Sequence, residues 1–267
     1  MSYTPQEMML VAAAREIAGH GVVFMGMSHP ILAGSLAKRL HDPDIVFCTE
    51  GGVIDWEIPE DNPRAPIQVT DPVMYRGAAF CGDMTESLGA GLMGRSLYDL
   101  ACLPVGQIDR FGNGNTVVVG DYNSPLQRIG GIGGNMDAAC CAPAVFWLVP
   151  HEKRRFLSRV DFITSPGYID GPGGRERAGL GPQGPNLIIT TLGILRLDTP
   201  DGGKTGSCEA YLDAVYPGVT VEEARSQTGW DLRVSGDLRV LEPPTQEELA
   251  MLHRLDPLGA YLRAEPA

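Results

Sequence analysis

The sequence predicts an open α/β fold with a largely parallel sheet flanked by helices, and three observations support this. A helical pattern, a short apolar strand, a second helical pattern and a second strand follow one another within residues 5–49. A strand–helix–strand unit favours parallel pairing, because parallel neighbours need a long crossover connection. Further apolar runs recur along the 267 residues, of which 43% are apolar, so the chain can bury a sizeable core. We expect one domain over residues 1–267.

The first helix is predicted from its start and stop signals. Thr4 and Glu7 have the spacing of a capping box, and Pro5 stands at the first helical position. Gly19 is a typical residue after a helix end, so the helix is predicted over residues 5–18.

The other elements are predicted from short apolar runs between turn residues. In chain order they are a strand over 22–25, a helix over 31–40, a strand over 44–49, a helix over 83–94, strands over 97–105, 116–119 and 144–149, a hairpin over 187–191 and 194–197, a strand over 211–216, a helix over 221–227, and a last helix from 246 that Thr245 and Glu248 cap.

Three segments rich in turn residues such as Gly, Pro and Asp lie between these elements. Residues 51–82 are too long for an ordinary connection, which predicts an excursion near a functional face. Residues 167–184 lie between two apolar strands and are expected to form an ordered surface loop. The run over residues 130–134 places backbone N–H groups where an anion can approach, although it lacks the GxGxxG fingerprint of a dinucleotide site.

Composition excludes several classes of protein. The formal net charge is -12, with 21 basic and 33 acidic residues and no basic stripe, so we expect no nucleic acid partner. Every hydrophobic stretch is interrupted before the roughly 20 apolar residues that cross a bilayer, and the polar amino terminus does not resemble a signal peptide.

Six cysteines without CxxC spacing predict reduced thiols and a cytoplasmic location. The five histidines have no ligand spacing, so we expect no metal.

Two segments carry a family resemblance. Residues 151–156 (HEKRRF) and 161–177 (DFITSPGYIDGPGGRER) closely resemble the second subunit of class I coenzyme A transferases, of the glutaconate and 3-oxoadipate types. The similarity covers nearly the whole chain, including residues 107–113. It implies the α/β fold of that family and a CoA thioester as substrate, with no permanently bound cofactor. It also implies a related α subunit, in an α2β2 or larger hetero-oligomer.

The resemblance further implies which residues react. In the family a glutamate ends the second strand, before a small residue and a glycine, and Glu50 is the matching position. Glu50 is therefore expected to be acylated and then to carry the coenzyme A. The family's glycine loop, which supplies the oxyanion hole, matches Gly133, Gly134 and Asn135.

The chemistry suits these residue types. A glutamate of ordinary pKa, about 4.3, is ionised at neutral pH, so it can attack a thioester without an adjacent base. Each attack forms an oxyanion that backbone N–H groups in a glycine turn stabilise. Apart from the resemblance, a glutamate before two glycines is more often a surface residue at a turn.

The chain departs from the family after the first strand, where Ser28 and His29 replace the usual Gly-x-Gly turn. Both are candidate contacts of the acyl group, although such a histidine is more often a structural turn residue. The loop between residues 56 and 84 differs as well. These departures leave open an acyl-CoA hydrolase or decarboxylase, or a non-catalytic acyl-CoA-binding module. Arg175 and Arg177 are expected to brace their loop or an interface through backbone carbonyls. Residues 153–155 are expected to be solvated or to contact a subunit.

Overall fold

The computed structural model describes residues 2–59, 61–94, 97–199 and 205–262. Its helices are α1 (Pro5–Ile17), α2 (His29–Leu40), α3 (Pro72–Tyr75), α4 (Asn135–Cys141), α5 (Gly174–Arg177), α6 (Val221–Ser226) and α7 (Gln246–Leu255), with a π-helix over Thr85–Gly94. Its strands are β1 (Val22–Met25), β2 (Val46–Cys48), β3 (Val53–Ile54), β4 (Phe80–Cys81), β5 (Leu100–Pro104), β6 (Gln107–Asp109), β7 (Gly114–Asn115), β8 (Val118–Gly120), β9 (Pro125–Arg128), β10 (Val145–Val149), β11 (Phe156–Leu157), β12 (Pro185–Thr190), β13 (Gly193–Leu197), β14 (Ala210–Val215) and β15 (Arg233–Val240).

The chain divides into two compact units, residues 1–104 with 243–267, and residues 105–242. The single domain expected over residues 1–267 stays a prediction. No helix in the described parts of either unit is long and apolar enough to cross a membrane.

Capping boxes start both terminal helices of the first unit, as predicted. Thr4 Oγ1 accepts from the N–H of Glu7 (3.1 Å), and the Glu7 carboxylate accepts from the N–H of Thr4 (2.7 Å). The same reciprocal pair starts α7. Glu248 in α7 is buried and accepts two hydrogen bonds from the Arg15 guanidinium of α1, at 2.9 and 2.8 Å. This ion pair, in which the carboxylate is buried and Arg15 is partly exposed, fixes α7 against α1.

The sheet of the first unit has the strand order β5-β1-β2-β3-β4. β1 pairs in parallel with both β2 and β5, which confirms the predicted strand–helix–strand unit. β2, β3 and β4 pair antiparallel, so the sheet continues into residues 51–82, where the sequence predicts an irregular excursion. Strands of two residues are too short to show the alternating pattern from which a strand is predicted.

The second unit has a sheet of order β15-β14-β13-β12-β10, with the smaller sheets β11-β6-β7 and β8-β9. The predicted hairpin of β12 and β13 is confirmed, and β10 and β12 are parallel. β15 and α4 are unpredicted, because β15 is a largely exposed strand interrupted by Gly236, and α4 is a short helix of small residues. Mixed open sheets with helices confirm the predicted α/β fold class.

Candidate active site

The turn that carries Glu50 joins β2 to β3. The N–H of Thr49 donates to the carbonyl of Val53 (3.2 Å), and the N–H of Gly52 donates to the carbonyl of Thr49 (3.1 Å). Glu50 and Gly51 lie at the tip between these bonds, and Glu50 is partly exposed. A carboxylate therefore stands at the carboxyl end of β2, on a backbone fixed at both ends.

Neither glycine after Glu50 has room for a side chain. Gly52 has a φ of +84°, and a Cβ there would lie 2.5 Å from the carbonyl carbon of Gly82 and 2.6 Å from the nitrogen of Asp83. A Cβ on Gly51 would lie 2.8 Å from the carbonyl oxygen of Val69. The excursion thus packs its backbone directly against the Glu50 turn. The prediction that residues 51–82 lie near a functional face therefore depends on the role of Glu50.

Asp71 organises the part of the excursion that touches Gly51. Its buried carboxylate accepts from the Arg64 guanidinium (2.6 Å) and from the N–H of Ile67 (3.2 Å). Burial opposes ionisation of Asp71, but these hydrogen bonds dominate and hold its pKa below the ordinary value. The ionised Asp71 keeps the segment around Val69 in place against the turn.

Ser28 and His29 lie at the same edge of the sheet as Glu50. β1 is parallel to β2 with Phe24 opposite Cys48, so the carboxyl ends of the two strands are neighbours. Ser28 follows β1 with a φ of +70° and a ψ of -126°, and α2 begins at the next residue. A non-glycine residue in this conformation is strained, and such strain is frequent at functional sites.

His29 is held by the structure around it. Its Nδ1 lies 3.4 Å from Ser28 Oγ, and its Nε2 contacts the Gln6 side-chain amide of α1. Gln6 also donates to the carbonyl of Tyr261 (3.0 Å), whose hydroxyl donates to the carbonyl of Pro66 (2.6 Å). A series of contacts from His29 through Gln6 and Tyr261 therefore links α2, α1 and the excursion. These contacts favour an orienting role for the imidazole, with the Ser28 hydroxyl on one of its nitrogens.

The glycine loop lies in the second unit. The N–H of Gly131 donates to the carbonyl of Thr116 (2.9 Å), and α4 starts at Asn135. Gly131 and Gly133 have φ values of +114° and +47°. Gly133 is exposed and Gly134 is buried. The loop presents exposed backbone in a conformation that glycine adopts readily. Of the predicted site residues, Ser28, His29 and Glu50 belong to the first unit, and the glycine loop belongs to the second.

The segment that carries the family resemblance braces this second unit. Buried Arg175 donates to the carbonyls of Ala139 (3.3 Å) and Cys140 (3.2 Å) in the last turn of α4, and to that of Gly181 (2.8 Å). The predicted bracing role of Arg175 is confirmed. Arg177 donates to the carbonyl of Pro172 (3.3 Å) and confirms its prediction as well.

Arg155 corrects the expectation that residues 153–155 form a solvated or subunit-contacting run. Its side chain is buried, donates to Glu152 (3.0 Å), and lies 3.4 Å from the carbonyl oxygen of Gly106. A run of three cations gives no indication of which member turns inward.

Two residues near Glu50 were not predicted from the sequence. The Ser87 hydroxyl donates to the carbonyl of Thr49 (2.7 Å), and the Tyr98 hydroxyl donates to the carbonyl of Ser87 (3.2 Å). Burial raises the pKa of both Tyr98 and Cys48 to about 12, so neither ionises at neutral pH. No pattern in the sequence marks Ser87, which lies in a helix rich in glycine and small residues.

Residues 6–226 match the coenzyme A transferase family. The chain belongs to this family and is a CoA-transferase subunit, which confirms the resemblance found in the sequence.

Two similar relatives cover nearly the whole chain. The second subunit of glutaconate CoA-transferase from Acidaminococcus fermentans is 35% identical over 98% of this chain and 96% of its own length. The crystal structure of that glutaconate coenzyme A-transferase matches with a TM-score of 0.87 and 32% identity, over 99% of both chains. The second subunit of 3-oxoadipate CoA-transferase from Pseudomonas knackmussii is 34% identical over 96% of this chain and 94% of its own.

A more distant relative has a different activity. The cholesterol ring-cleaving hydrolase IpdB subunit of Rhodococcus jostii is 22% identical over 95% of this chain and 93% of its own length. The structure of IpdAB from the same organism matches with a TM-score of 0.74. Similarity at this level shows a shared fold.

Proposed function

We propose that this CoA-transferase subunit moves coenzyme A between a short acyl-CoA and a dicarboxylic or 3-oxo acid, through a glutamyl-CoA thioester on Glu50. The observation that carries the proposal is the turn between β2 and β3, where Gly51 and Gly52 have no room for a Cβ and Glu50 lies at the tip. A nucleophile held on a fixed backbone gains rate, because less positional freedom is lost when it reacts. The names of the two relatives above 30% identity support the substrate class.

The proposed reaction proceeds through anhydride and thioester intermediates on Glu50. The Glu50 carboxylate attacks the thioester carbonyl and expels the coenzyme A thiolate, which leaves a mixed anhydride. The thiolate attacks the side-chain carbonyl of Glu50 and releases the first acid as a carboxylate. The carboxylate of the second acid then attacks the glutamyl thioester and expels the thiolate, which leaves a second mixed anhydride. The thiolate attacks the acyl carbonyl of this anhydride, forms the new acyl-CoA and releases the Glu50 carboxylate. Each attack places negative charge on a carbonyl oxygen, and we assign the stabilising contacts, with coenzyme A binding, to Gly133, Gly134 and Asn135.

Ser28 and His29 are part of the proposal as contacts of the acyl group. The carboxyl end of β1 neighbours that of β2, which supports their proximity to the group on Glu50. Ser28 offers a hydroxyl donor, and His29, bonded to Gln6, orients it.

The assembly and location complete the proposal. Both relatives above 30% identity are named as one subunit of a larger enzyme, which supports a related α subunit as partner, in an α2β2 or larger assembly. The six cysteines are free thiols, which supports a cytoplasmic location. We retain a single functional domain over residues 1–267, with coenzyme A as substrate and no permanent cofactor.

The test is chemical trapping of Glu50. Incubation of the hetero-oligomer with an acyl-CoA, followed by hydroxylamine, should convert Glu50 to a hydroxamate that peptide mass spectrometry locates. Glu50→Gln should abolish the exchange of labelled acid into acyl-CoA, because an uncharged amide is a poor nucleophile.

Glu57→Gln is the matched control. This glutamate lies in the same unit, is about half exposed and pairs with Arg39 at 2.8 Å, so its loss should leave exchange unchanged. An active enzyme without a modified Glu50 peptide, or full exchange by Glu50→Gln, would refute the covalent route.

A further inference from the structure

We propose that Ser87 is a positioning residue for Glu50, and that Tyr98 holds Ser87 in place. The inference rests on the proposed covalent role of Glu50 and adds to it a buried pair of hydroxyls behind the reactive turn. Both residues lie in the first unit, with Ser87 in the π-helix and Tyr98 just before β5.

The Thr49 carbonyl is the point of contact. It accepts from the N–H of Gly52 within the turn (3.1 Å) and from the Ser87 hydroxyl, 38 residues along the chain (2.7 Å). The first bond is local and closes the turn. The second fixes the turn to a different element of the structure.

The carbonyl of Thr49 belongs to the same peptide unit as the nitrogen of Glu50. Because a peptide unit is planar, fixing its oxygen also fixes the position of the Glu50 nitrogen and the direction of the N–Cα bond of Glu50. The Ser87 bond therefore sets the direction in which the Glu50 side chain leaves the backbone. Reaction geometry is sensitive to such changes, since a displacement of about 1 Å can cost on the order of 100-fold in rate.

Tyr98 supports Ser87 through its hydroxyl. This group donates to the Ser87 carbonyl (3.2 Å) and lies 3.3 Å from Ser87 Oγ. The ring is buried edge-on to Phe24, with centroids 5.7 Å apart. A Cβ on Gly91 would lie 2.6 Å from the Tyr98 oxygen, so the π-helix approaches as closely as a glycine allows. The Tyr98 pKa of about 12 keeps the hydroxyl protonated as a donor.

The start of the π-helix is anchored to the same turn. Asp83 Oδ1 accepts from the N–H of Thr85 (2.7 Å) and of Glu86 (3.2 Å), which caps the helix. The N–H of Gly82 donates to the carbonyl of Gly52 (2.9 Å). Ser87 thus reaches Thr49 from an element whose start is tied to the Gly52 end of the Glu50 turn. π-Helical segments are rare and often occur at functional sites.

The hydrogen bond from Ser87 to Thr49 differs from the one that a serine inside a helix commonly makes. Serine hydroxyls inside helices commonly point to solvent or bond a carbonyl three or four residues earlier in their own helix. The hydroxyl of Ser87, which is 1% exposed, instead points across to Thr49. Burying a hydroxyl in order to bond a distant carbonyl is costly unless that bond is made, so the geometry favours a specific role.

The experiment compares Ser87→Ala and Tyr98→Phe with Ser35→Ala in the hetero-oligomer. Ser35 is a buried serine of α2 whose hydroxyl makes no hydrogen bond within the described residues, so its removal should change neither activity nor the Glu50 turn. Ser87→Ala should lower kcat and the single-turnover rate of glutamyl-thioester formation about 10–100-fold. KM should stay within about twofold, because substrate binding is retained. Tyr98→Phe should have a smaller effect, since Ser87 can still reach Thr49.

A second readout does not depend on activity. Amide hydrogen exchange at Thr49 and Gly52 should accelerate about 10-fold in Ser87→Ala, since loosening of the turn exposes their N–H groups, and stay unchanged in Ser35→Ala. An unchanged hydrogen-exchange rate at the amides of Thr49 and Gly52 in Ser87→Ala would overturn the positioning role, whether or not Glu50 is the nucleophile. Wild-type trapping at Glu50 together with a wild-type rate in Ser87→Ala would overturn it too and leave the covalent route intact. Lack of trapping in the wild type would instead refute the proposed function.

Discussion

Replacing Gly52 by alanine tests whether the geometry of the Glu50 turn controls activity. The added methyl group meets two obstacles. The φ of Gly52 is +84°, a conformation in which a Cβ clashes with its own backbone. The Cβ would also lie 2.5 Å from the Gly82 carbonyl carbon and 2.6 and 2.7 Å from the nitrogen and oxygen of Asp83. These are backbone atoms, so no side chain can rotate away to make room.

The loss of stability in Gly52→Ala has two contributions, backbone strain and steric overlap. A non-glycine residue in the left-handed region costs about 1–2 kcal/mol. Forcing a methyl group into packed backbone costs about 1–3 kcal/mol more, through movement of the neighbouring chain. We therefore expect Gly52→Ala to lower the free energy of unfolding by about 2–5 kcal/mol. The turn is the element that must shift, so kcat should fall by about 100-fold for a displacement near 1 Å.

Gly77→Ala is the matched control. Gly77 lies in the same unit with a φ of +82°, but a Cβ there would meet nothing within 4 Å. It should lose about 1–2 kcal/mol from backbone strain and keep its activity. Urea unfolding gives the stabilities, and steady-state exchange of acyl groups gives kcat. Equal losses of stability in both variants, with kcat unchanged in Gly52→Ala, would refute the reasoning.

Two further predictions concern the second unit. Burial lowers the pKa of His151 to about 3, between the hydroxyls of Thr190 and Thr228. In the unfolded chain a histidine has a pKa near 6.5, so below this pH the unfolded chain binds a proton that the folded chain does not. The free energy of unfolding should therefore fall by up to about 1.4 kcal/mol for each pH unit below 6.5. Urea unfolding between pH 7 and 5 should show a steeper decline for the wild type than for His151→Gln, and equal slopes would contradict this prediction. Arg175→Lys should cost about 2–5 kcal/mol, because one ammonium cannot satisfy the five carbonyls that the guanidinium bonds. Exposed Arg177→Lys should stay within about 0.5 kcal/mol of the wild type when both variants are measured by urea unfolding, and similar losses in both variants would argue against the brace.

The helices at both ends of the chain show what local sequence predicts well. The capping boxes at Thr4 and Thr245 join residues three apart, so their geometry depends little on the rest of the fold. The parallel pair of β1 and β2 follows from the helix between them. Glu50 was located by resemblance, because its local sequence is that of an ordinary turn.

Errors in the predicted elements arose where local patterns are weak. β3 and β4 have two residues each, and β15 is a largely exposed strand with Gly236 in its middle. The burial of Arg155 depends on Glu152 and on the carbonyl of Gly106, 49 residues away. Charge and hydropathy alone do not indicate which cation of such a run turns inward.

The sequence by itself determined the α/β class, the terminal helices, the family and the position of Glu50, because these depend on short-range signals or on a resemblance along the whole chain. The tertiary structure alone decided how Glu50 is supported. The Ser87 hydroxyl meets the Thr49 carbonyl across 38 residues, and the Gly52 backbone meets Asp83. Contacts of this kind depend on which surfaces become neighbours when the sheet forms, and no spacing within the chain encodes them.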